Sequence, residues 1–331
     1  MTSSIPTTMR AVTVQGDGDG PEVLQLGEAP VPLPKPGEVL IQVTAAGINR
    51  ADVMQRKGFY PPPPGASAII GLEVSGRVAA VAEGVTGWSV GDRCLALLAG
   101  GGYAEYVAVE AAHLLPLPPG VDPITAAGVL EVAATVQSNA DVADLKPGET
   151  YLVHGGAGGI GSFAIQYAKA LGCTVFTTAG SDEKLAFCRE LGADLAVSYR
   201  DDWAAAFTDA GGVDVILDNQ GARYLEPNLG VLKSDGRMVI IGLQGGRKGE
   251  LDLGLQLRKR ASVIATSLRS RPSDQKAKIC ADVVTRIWPM YADGRIRTAP
   301  TKVFDAADVA AAHEYFDSGE HRGKIVLTFG E

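Results

Sequence analysis

The residues best placed to do chemistry lie between Thr150 and Gly161, in the segment TYLVHGGAGGIG. An apolar run of strand type enters a glycine-rich turn, and a helical pattern from Ser162 to Leu171 leaves it. Gly156, Gly158 and Gly161 fit the G-x-G-x-x-G spacing, with Gly159 and Ile160 inside it. In a dinucleotide-binding turn the first glycine permits the tight bend and the second lets a pyrophosphate reach the backbone. The third lets helix and strand pack closely. Unpaired N–H groups and the helix dipole then favour the phosphate charge. Such glycines also occur in plain structural turns, and the strand-before, helix-after context is what favours a nucleotide.

The next strand-like run, Thr174-Val-Phe-Thr-Thr178, bears on which nucleotide. An NAD-type site needs a carboxylate about 20 residues past the glycines, on the ribose 2′-hydroxyl. Here the run ends in small and hydroxyl residues, followed by Gly180, Ser181 and Lys184. Asp182 and Glu183 read instead as first-turn helix residues that suit the dipole. Ser181 can donate a hydrogen bond to a 2′-phosphate and Lys184 can supply charge. Ser181 can equally be an N-cap, and both roles are compatible. The expected cofactor is NADPH.

Around these residues the 331-residue chain is long for one core, so two domains are expected. A net charge of −8 argues against a nucleic-acid partner, since phosphate neutralisation needs clustered Lys or Arg. No apolar run approaches the roughly 20 residues of a membrane helix. The polar opening residues 1–8 lack the regions of a signal peptide and read as a loose tail, so a cytoplasmic location is expected. Cys94, Cys173, Cys188 and Cys280 form no C-x-x-C pair and read as small buried residues rather than metal ligands or disulfides. His154, inside the first nucleotide-domain strand, reads as a packing residue.

Short β-type runs broken by Pro and Gly fill the first section, including Arg10–Val14, Glu38–Val43, Glu73–Val78 and Tyr103–Val107. They suggest an irregular β-barrel. From Thr125 helix and strand alternate, with strands expected at Leu195–Ser198, Val213–Asp218, Arg237–Ile241 and Ser262–Ser267. That alternation points to a doubly wound parallel sheet. Strands at Thr301–Phe304 and Lys324–Leu327, around a helix from Ala307 to Asp317, return to the first texture and are expected to rejoin it. A substrate cleft is expected between the two domains.

Several ordered segments carry a family resemblance: Gly47-Ile-Asn-Arg-Ala-Asp-Val-Met-Gln-Arg56, Tyr60-Pro-Pro-Pro-Pro-Gly65, Gly71-Leu-Glu-Val-Ser-Gly76, Gly100-Gly-Gly-Tyr103, Ser267-Leu-Arg-Ser-Arg271 and Gly323-Lys-Ile-Val326. Over nearly its whole length the chain resembles the medium-chain dehydrogenase/reductase superfamily. Within it, the chain is similar to the zinc-independent quinone oxidoreductases, above all the tumour-suppressor-inducible type. The resemblance implies an α/β fold: a doubly wound parallel sheet (Rossmann) nucleotide domain at residues 125–294, plus a GroES-like irregular β-barrel catalytic domain at residues 9–124 and 295–331. It also implies that the metal is dispensed with. Zinc enzymes of the superfamily have a Cys and a His in the segments that read GINRAD and GLE here, and neither a thiol nor an imidazole stands in either.

By the same resemblance Asn49 and Tyr60 face the nicotinamide and the acceptor, and Asp52 is structural. Tyr60 can also be a turn aromatic, and Asn49 a backbone-fixing side chain. Thr135, Tyr199, Gly242, Leu243, Leu268, Arg269 and Lys324 occupy family cofactor positions. Core packing remains open for Leu268, and a surface charge for Arg269 and Lys324. Where relatives have Pro-Glu-Ala-Trp-Leu-Thr this chain has Leu130-Glu-Val-Ala-Ala-Thr135, so Ala133 replaces a large aromatic. No strongly paired acid and base stands out in the sequence. The expected activity is NADPH-dependent reduction of a quinone by a homodimer paired through Ser262–Ser267. Enoyl or alkenal reduction and a non-catalytic NADPH-binding sensor or structural role are the alternatives.

Overall fold

A computed structural model describes residues 5–16 and 18–330. Residues 1–4 of the expected tail lie outside the described residues. In chain order the first section forms β1 (Thr8–Val14), β2 (Leu24–Pro30), β3 (Glu38–Gly47), α1 (Arg50–Arg56), β4 (Glu73–Val81), β5 (Arg93–Leu97), β6 (Tyr106–Glu110) and β7 (Leu114–Leu115). Then come α2 (Pro123–Ala126), α3 (Leu130–Val142), β8 (Thr150–His154), α4 (Gly159–Ala170), β9 (Thr174–Ala179), α5 (Asp182–Glu190) and β10 (Leu195–Ser198). Next are α6 (Trp203–Asp209), β11 (Val213–Asp218), α7 (Leu225–Val231), β12 (Leu232–Ile240), α8 (Leu253–Lys259) and β13 (Ser262–Ala265). The chain closes through α9 (Ser273–Asp282), α10 (Trp288–Ala292), β14 (Thr301–Asp305), α11 (Val309–Ser318) and β15 (Lys324–Thr328).

Two compact units result. The first holds the chain up to Ala134, with Arg269–Ala292 and everything from Thr298; the second holds Thr135–Leu268 and Asp293–Arg297. Residues 125–134 and 269–292 therefore group with the first unit, whereas the alternation of helix and strand predicts them in the nucleotide domain. Side chains explain part of this. The His113 ring bonds the Ser273 carbonyl at 3.0 Å, and Trp288 Nε1 donates to the Pro116 carbonyl at 2.9 Å.

In the first unit the strands run β14-β15-β3-β4-β5-β7, with β6 also paired to β3, and β1 with β2 form a separate antiparallel pair. As expected, β14 and β15 rejoin the early strands, β15 lying antiparallel to β3. Burial of Val39, Ile41, Val43, Val74, Ile325 and Leu327 builds the core between sheet and α11. The strand expected at Tyr103–Val107 is displaced. Its ladder with β3 starts at Tyr106, and Tyr103 is wholly buried with its hydroxyl 3.2 Å from His313 Nε2.

The second unit holds a six-stranded sheet in the order β10-β9-β8-β11-β12-β13, every pair parallel. All five residues of β8 are buried, Thr150 and His154 included, as in a strand covered on both faces. The chain winds outward in opposite directions from β8 and β11, so their carboxyl ends form a topological switch point. β12 begins five residues earlier than the expected Arg237 and β13 ends at Ala265 instead of Ser267. Among the described residues no helix is long and apolar enough to cross a membrane.

Candidate functional site

At the switch point the glycine turn is built as a scaffold with one opening. Gly155, with φ 72°, is the left-handed residue of the bend, one position before the glycine assigned that task from the motif. A methyl group on Gly156 would overlap the Thr177 hydroxyl, and one on Gly161 would overlap the Gly155 carbonyl. Both are glycine for packing. Gly158 differs: its φ of −79° suits any residue, and the nearest atom to an added Cβ is 3.7 Å away. Packing does not require glycine at that position; an approaching ligand would. α4 starts at Gly159, three residues before the expected Ser162, so Gly159, Ile160 and Gly161 form its first turn. Their N–H groups have no carbonyl within the helix to meet, which suits an anion.

The turn is braced from beneath. Gly155 N donates to Thr178 Oγ1 at 3.3 Å, and Thr178 Oγ1 lies 3.1 Å from His154 Nδ1. His154 Nε2 meets the Asn228 side-chain oxygen at 2.8 Å, so that nitrogen carries the proton. Burial pushes His154 down to about 4, which keeps it neutral. His154 is thus the packing residue expected. Asn219 Nδ2 donates to the His154 carbonyl at 3.1 Å and so ties β11 to β8 across the switch point. Gly242 packs against Asn219, a Cβ there falling 2.9 Å from its carbonyl oxygen, and Leu243 is half exposed beside it.

At the end of β9 Thr178 and Ala179 are buried, and no carboxylate stands on the strand. Ser181 caps α5, its hydroxyl accepting from Lys184 N at 3.4 Å, while Asp182 and Glu183 sit in the first turn as expected. Tyr199 lies against Gly180 so closely that a side chain there would strike its phenol. Its ring is 47% exposed, with the Arg200 guanidinium 5.9 Å from the ring centre. Arg200, which no motif in the sequence singles out, adds an exposed cation to this edge. Thr135 is buried in α3 and its carbonyl accepts from Asn139 Nδ2 at 2.7 Å. Leu268 is only 9% exposed, the packing alternative for that residue.

The first unit has its own constellation. Glu73 Oε1 accepts from Asn49 Nδ2 and from Lys324 Nζ, both at 2.9 Å, and Glu73 Oε2 accepts from Glu131 N at 2.9 Å. Lys324 Nζ also donates to Asn49 Oδ1 at 2.7 Å and to the Ile48 carbonyl at 3.0 Å. Because an ammonium only donates, the amide orientation of Asn49 is fixed. Its second Nδ2 hydrogen has only the Gly47 carbonyl, at 3.5 Å. Gly47 is glycine because a Cβ would collide with the Glu73 carboxylate. Lys324, an expected cofactor position, thus directs its three N–H donors to Ile48, Asn49 and Glu73 within this unit.

Asp52 is wholly buried and its Oδ2 accepts from Asn49 N at 2.7 Å, fixing the start of α1. Desolvation pushes the Asp52 carboxyl up to about 7, despite that hydrogen bond and nearby Lys324. Glu131 is pushed up to about 8 by desolvation and by the neighbouring Glu73 and Asp52 carboxylates. This paired-acid environment is invisible in the sequence, where the three carboxylates are scattered. Ala133, where the resemblance implies a large aromatic, is fully buried.

Tyr60 follows α1 and is half-buried, its N–H donating to the Met54 carbonyl at 3.2 Å. Arg269, another expected cofactor position, donates to the carbonyls of Ala99 and Tyr60 and to Gln55 Oε1. All four cysteines are buried and free, and among the described residues no group of three or more His, Cys, Asp or Glu is placed to hold a metal.

Residues 35–119 match the alcohol dehydrogenase GroES-like domain family and residues 159–282 the zinc-binding dehydrogenase family. A quinone oxidoreductase of Pseudomonas aeruginosa is 32% identical, the match covering 93% of this chain and 96% of that protein. The chain belongs to the medium-chain dehydrogenase/reductase superfamily. The first unit carries its GroES-like domain and the second its NAD(P)-binding sheet. Enoyl reductases also stand among its superfamily relatives. The structure of CurK enoyl reductase superposes with a TM-score of 0.85 at 25% identity, covering 98% of this chain and 99% of that one. A phenolphthiocerol/phthiocerol polyketide synthase of Mycobacterium tuberculosis is 32% identical over 96% of this chain, which spans only 15% of that protein's length.

Proposed function

We propose that the chain is a zinc-independent, NADPH-dependent quinone oxidoreductase. The observation that carries the nucleotide half is Gly158, whose glycine no packing contact requires, standing before the free N–H groups of α4. Ser181, Lys184 and Arg200, with no carboxylate on β9, support the 2′-phosphate form. Bound NADPH supplies a hydride; the protein's residues bind it, orient the acceptor and stabilise charge. In this reading Lys324, ion-paired to Glu73, holds Asn49 in place through its side-chain oxygen. Asn49 Nδ2 and the Tyr60 phenol donate to the acceptor oxygen, where preorganised donors act most strongly. The full-length quinone oxidoreductase relative supports the acceptor class.

The polyketide synthase and enoyl reductase relatives favour a second reading, reduction of an activated carbon–carbon double bond. NADPH consumption with 1,2- and 1,4-quinones, an alkenal and an enone, with NADH in parallel, separates the two. Turnover of quinones with NADPH is expected. Turnover of the alkenal or enone only moves the protein to double-bond reduction, and tight NADPH binding without turnover points to a sensor or to an acceptor outside the panel. Lys184→Ala should raise the NADPH Michaelis constant about tenfold, the loss of one charge-assisted contact, with little change for NADH. Equal effects on both would refute the 2′-phosphate assignment. The edge strand β13, paired only with β12 among the described residues, is proposed to form a homodimer. Sedimentation should show a dimer that acidic residues at exposed Ser262 and Ala265 dissociate.

A further inference from the structure

Arg269 is 5% exposed, yet among the described residues it forms no salt bridge with the carboxylates around it; its hydrogen bonds run to neutral oxygens. Nε donates to the Ala99 carbonyl at 2.8 Å, Nη1 to the Tyr60 carbonyl at 3.2 Å and Nη2 to Gln55 Oε1 at 2.7 Å. Its guanidinium carbon lies 5.2 Å from the centre of the Tyr60 ring. We infer that Arg269 is a positioning residue that holds Tyr60 for the acceptor, and not a ligand of the cofactor. This rests on the reading of Tyr60 as an acceptor contact.

The local sequence explains why such a clamp is needed. Residues 61–64 are all proline, so the loop after Tyr60 has no N–H with which to anchor itself. Tyr60 is tied to α1 on its N-terminal side through the Met54 carbonyl. On its C-terminal side Arg269 supplies the missing donor. Gln55 extends the clamp: it accepts from Arg269 and donates to the Ala68 carbonyl at 3.0 Å, across the base of the same loop. The guanidinium face against the ring restricts rotation of the phenol while the fork fixes its backbone. A lysine has the charge but not three donors in one plane, so it cannot replace the clamp.

The experiment compares Arg269→Lys, Arg269→Met and the milder Gln55→Leu, each alone and combined with Tyr60→Phe. NADPH dissociation constants, kcat and KM for 1,4-benzoquinone, and hydrogen exchange in peptides covering residues 57–60 are measured. In the Arg269 variants, misplacement of a reacting group should cut kcat/KM for the quinone by up to about 100-fold. NADPH affinity should stay within about twofold, and the Tyr60 amide should exchange faster. Gln55→Leu should fall between. Combined with Tyr60→Phe, Arg269→Lys should add little further loss, because both act through one group. A large loss of NADPH affinity with the quinone KM untouched would overturn the inference, as would fully additive losses. Full activity in Tyr60→Phe would refute the acceptor contact itself. Exchange at the Tyr60 amide still judges the clamp: unchanged exchange in Arg269→Lys would overturn it.

Discussion

Gly158 and Gly161 stand three residues apart and should respond oppositely to a methyl group. At Gly161 the added carbon meets the Gly155 carbonyl, and overpacking of that kind costs about 1–3 kcal/mol or more. At Gly158 it meets nothing closer than 3.7 Å in a backbone conformation that alanine accepts. Gly158→Ala should therefore leave the melting temperature nearly unchanged while weakening nucleotide binding about tenfold or more, about 1.4 kcal/mol of lost affinity. Calorimetric titration and thermal melts of both variants check this. A Gly158→Ala protein that binds NADPH normally would mean that the phosphates pass elsewhere. In the proposed reading the same distinction between support and contact separates Arg269, whose hydrogen bonds end on the first unit, from Ser181 and Lys184, which flank the end of β9.

Elements set these placements. α1 has only seven residues, but Asn49 stands at its start and Tyr60 just beyond its end, so one short rod fixes both acceptor-side candidates. Its start is held by the Asp52 carboxyl group, and Lys324 ties β15 to Glu73 of β4 and to the Ile48 carbonyl just past β3. Glu73 is fully buried and its partner nearly so. Removing one member of a buried pair leaves the other charge uncompensated, at a cost of about 3–5 kcal/mol. Lys324→Met should lower stability by that order in denaturant unfolding, whereas breaking an exposed pair such as Arg260–Asp235 should leave stability nearly unchanged. A Lys324→Met protein as stable as the parent would mean that the Lys324–Glu73 pair contributes nothing net to folding.

Over the whole molecule two desolvated carboxyls tie stability to pH. Asp52 at about 7 and Glu131 at about 8 both lie above their ordinary values of 3.8 and 4.5. The folded state therefore holds protons that the unfolded chain has released. Stability is highest below the unfolded values and falls as pH rises towards the folded ones. Each such group adds a slope of up to about 1.4 kcal/mol per pH unit within that window. Glu131→Gln, which cannot ionise, should flatten the decline between pH 5 and 8 and gain most over the parent at pH 9. Melting curves across that range test it, and parallel curves would place Glu131 in a more solvated setting.

The glycine turn, the alternation that winds a parallel sheet, the buried histidine and the cap of α5 were all legible in the amino-acid order alone. Each depends on neighbours within a few residues, where spacing and side-chain chemistry act directly. The start of the strand expected at Tyr103, and the grouping of residues 125–134 and 269–292 with the first unit, depended on which surface a segment packs against. Lys324 and Arg269 were visible as matched positions, yet their tasks were not. Lys324 meets Glu73 across 251 residues of chain, and Arg269 meets Tyr60 across 209. Folding in three dimensions settles such pairs, because a buried charge is satisfied by whatever the folded chain brings within about 3 Å of it, and sequence distance carries no information about that.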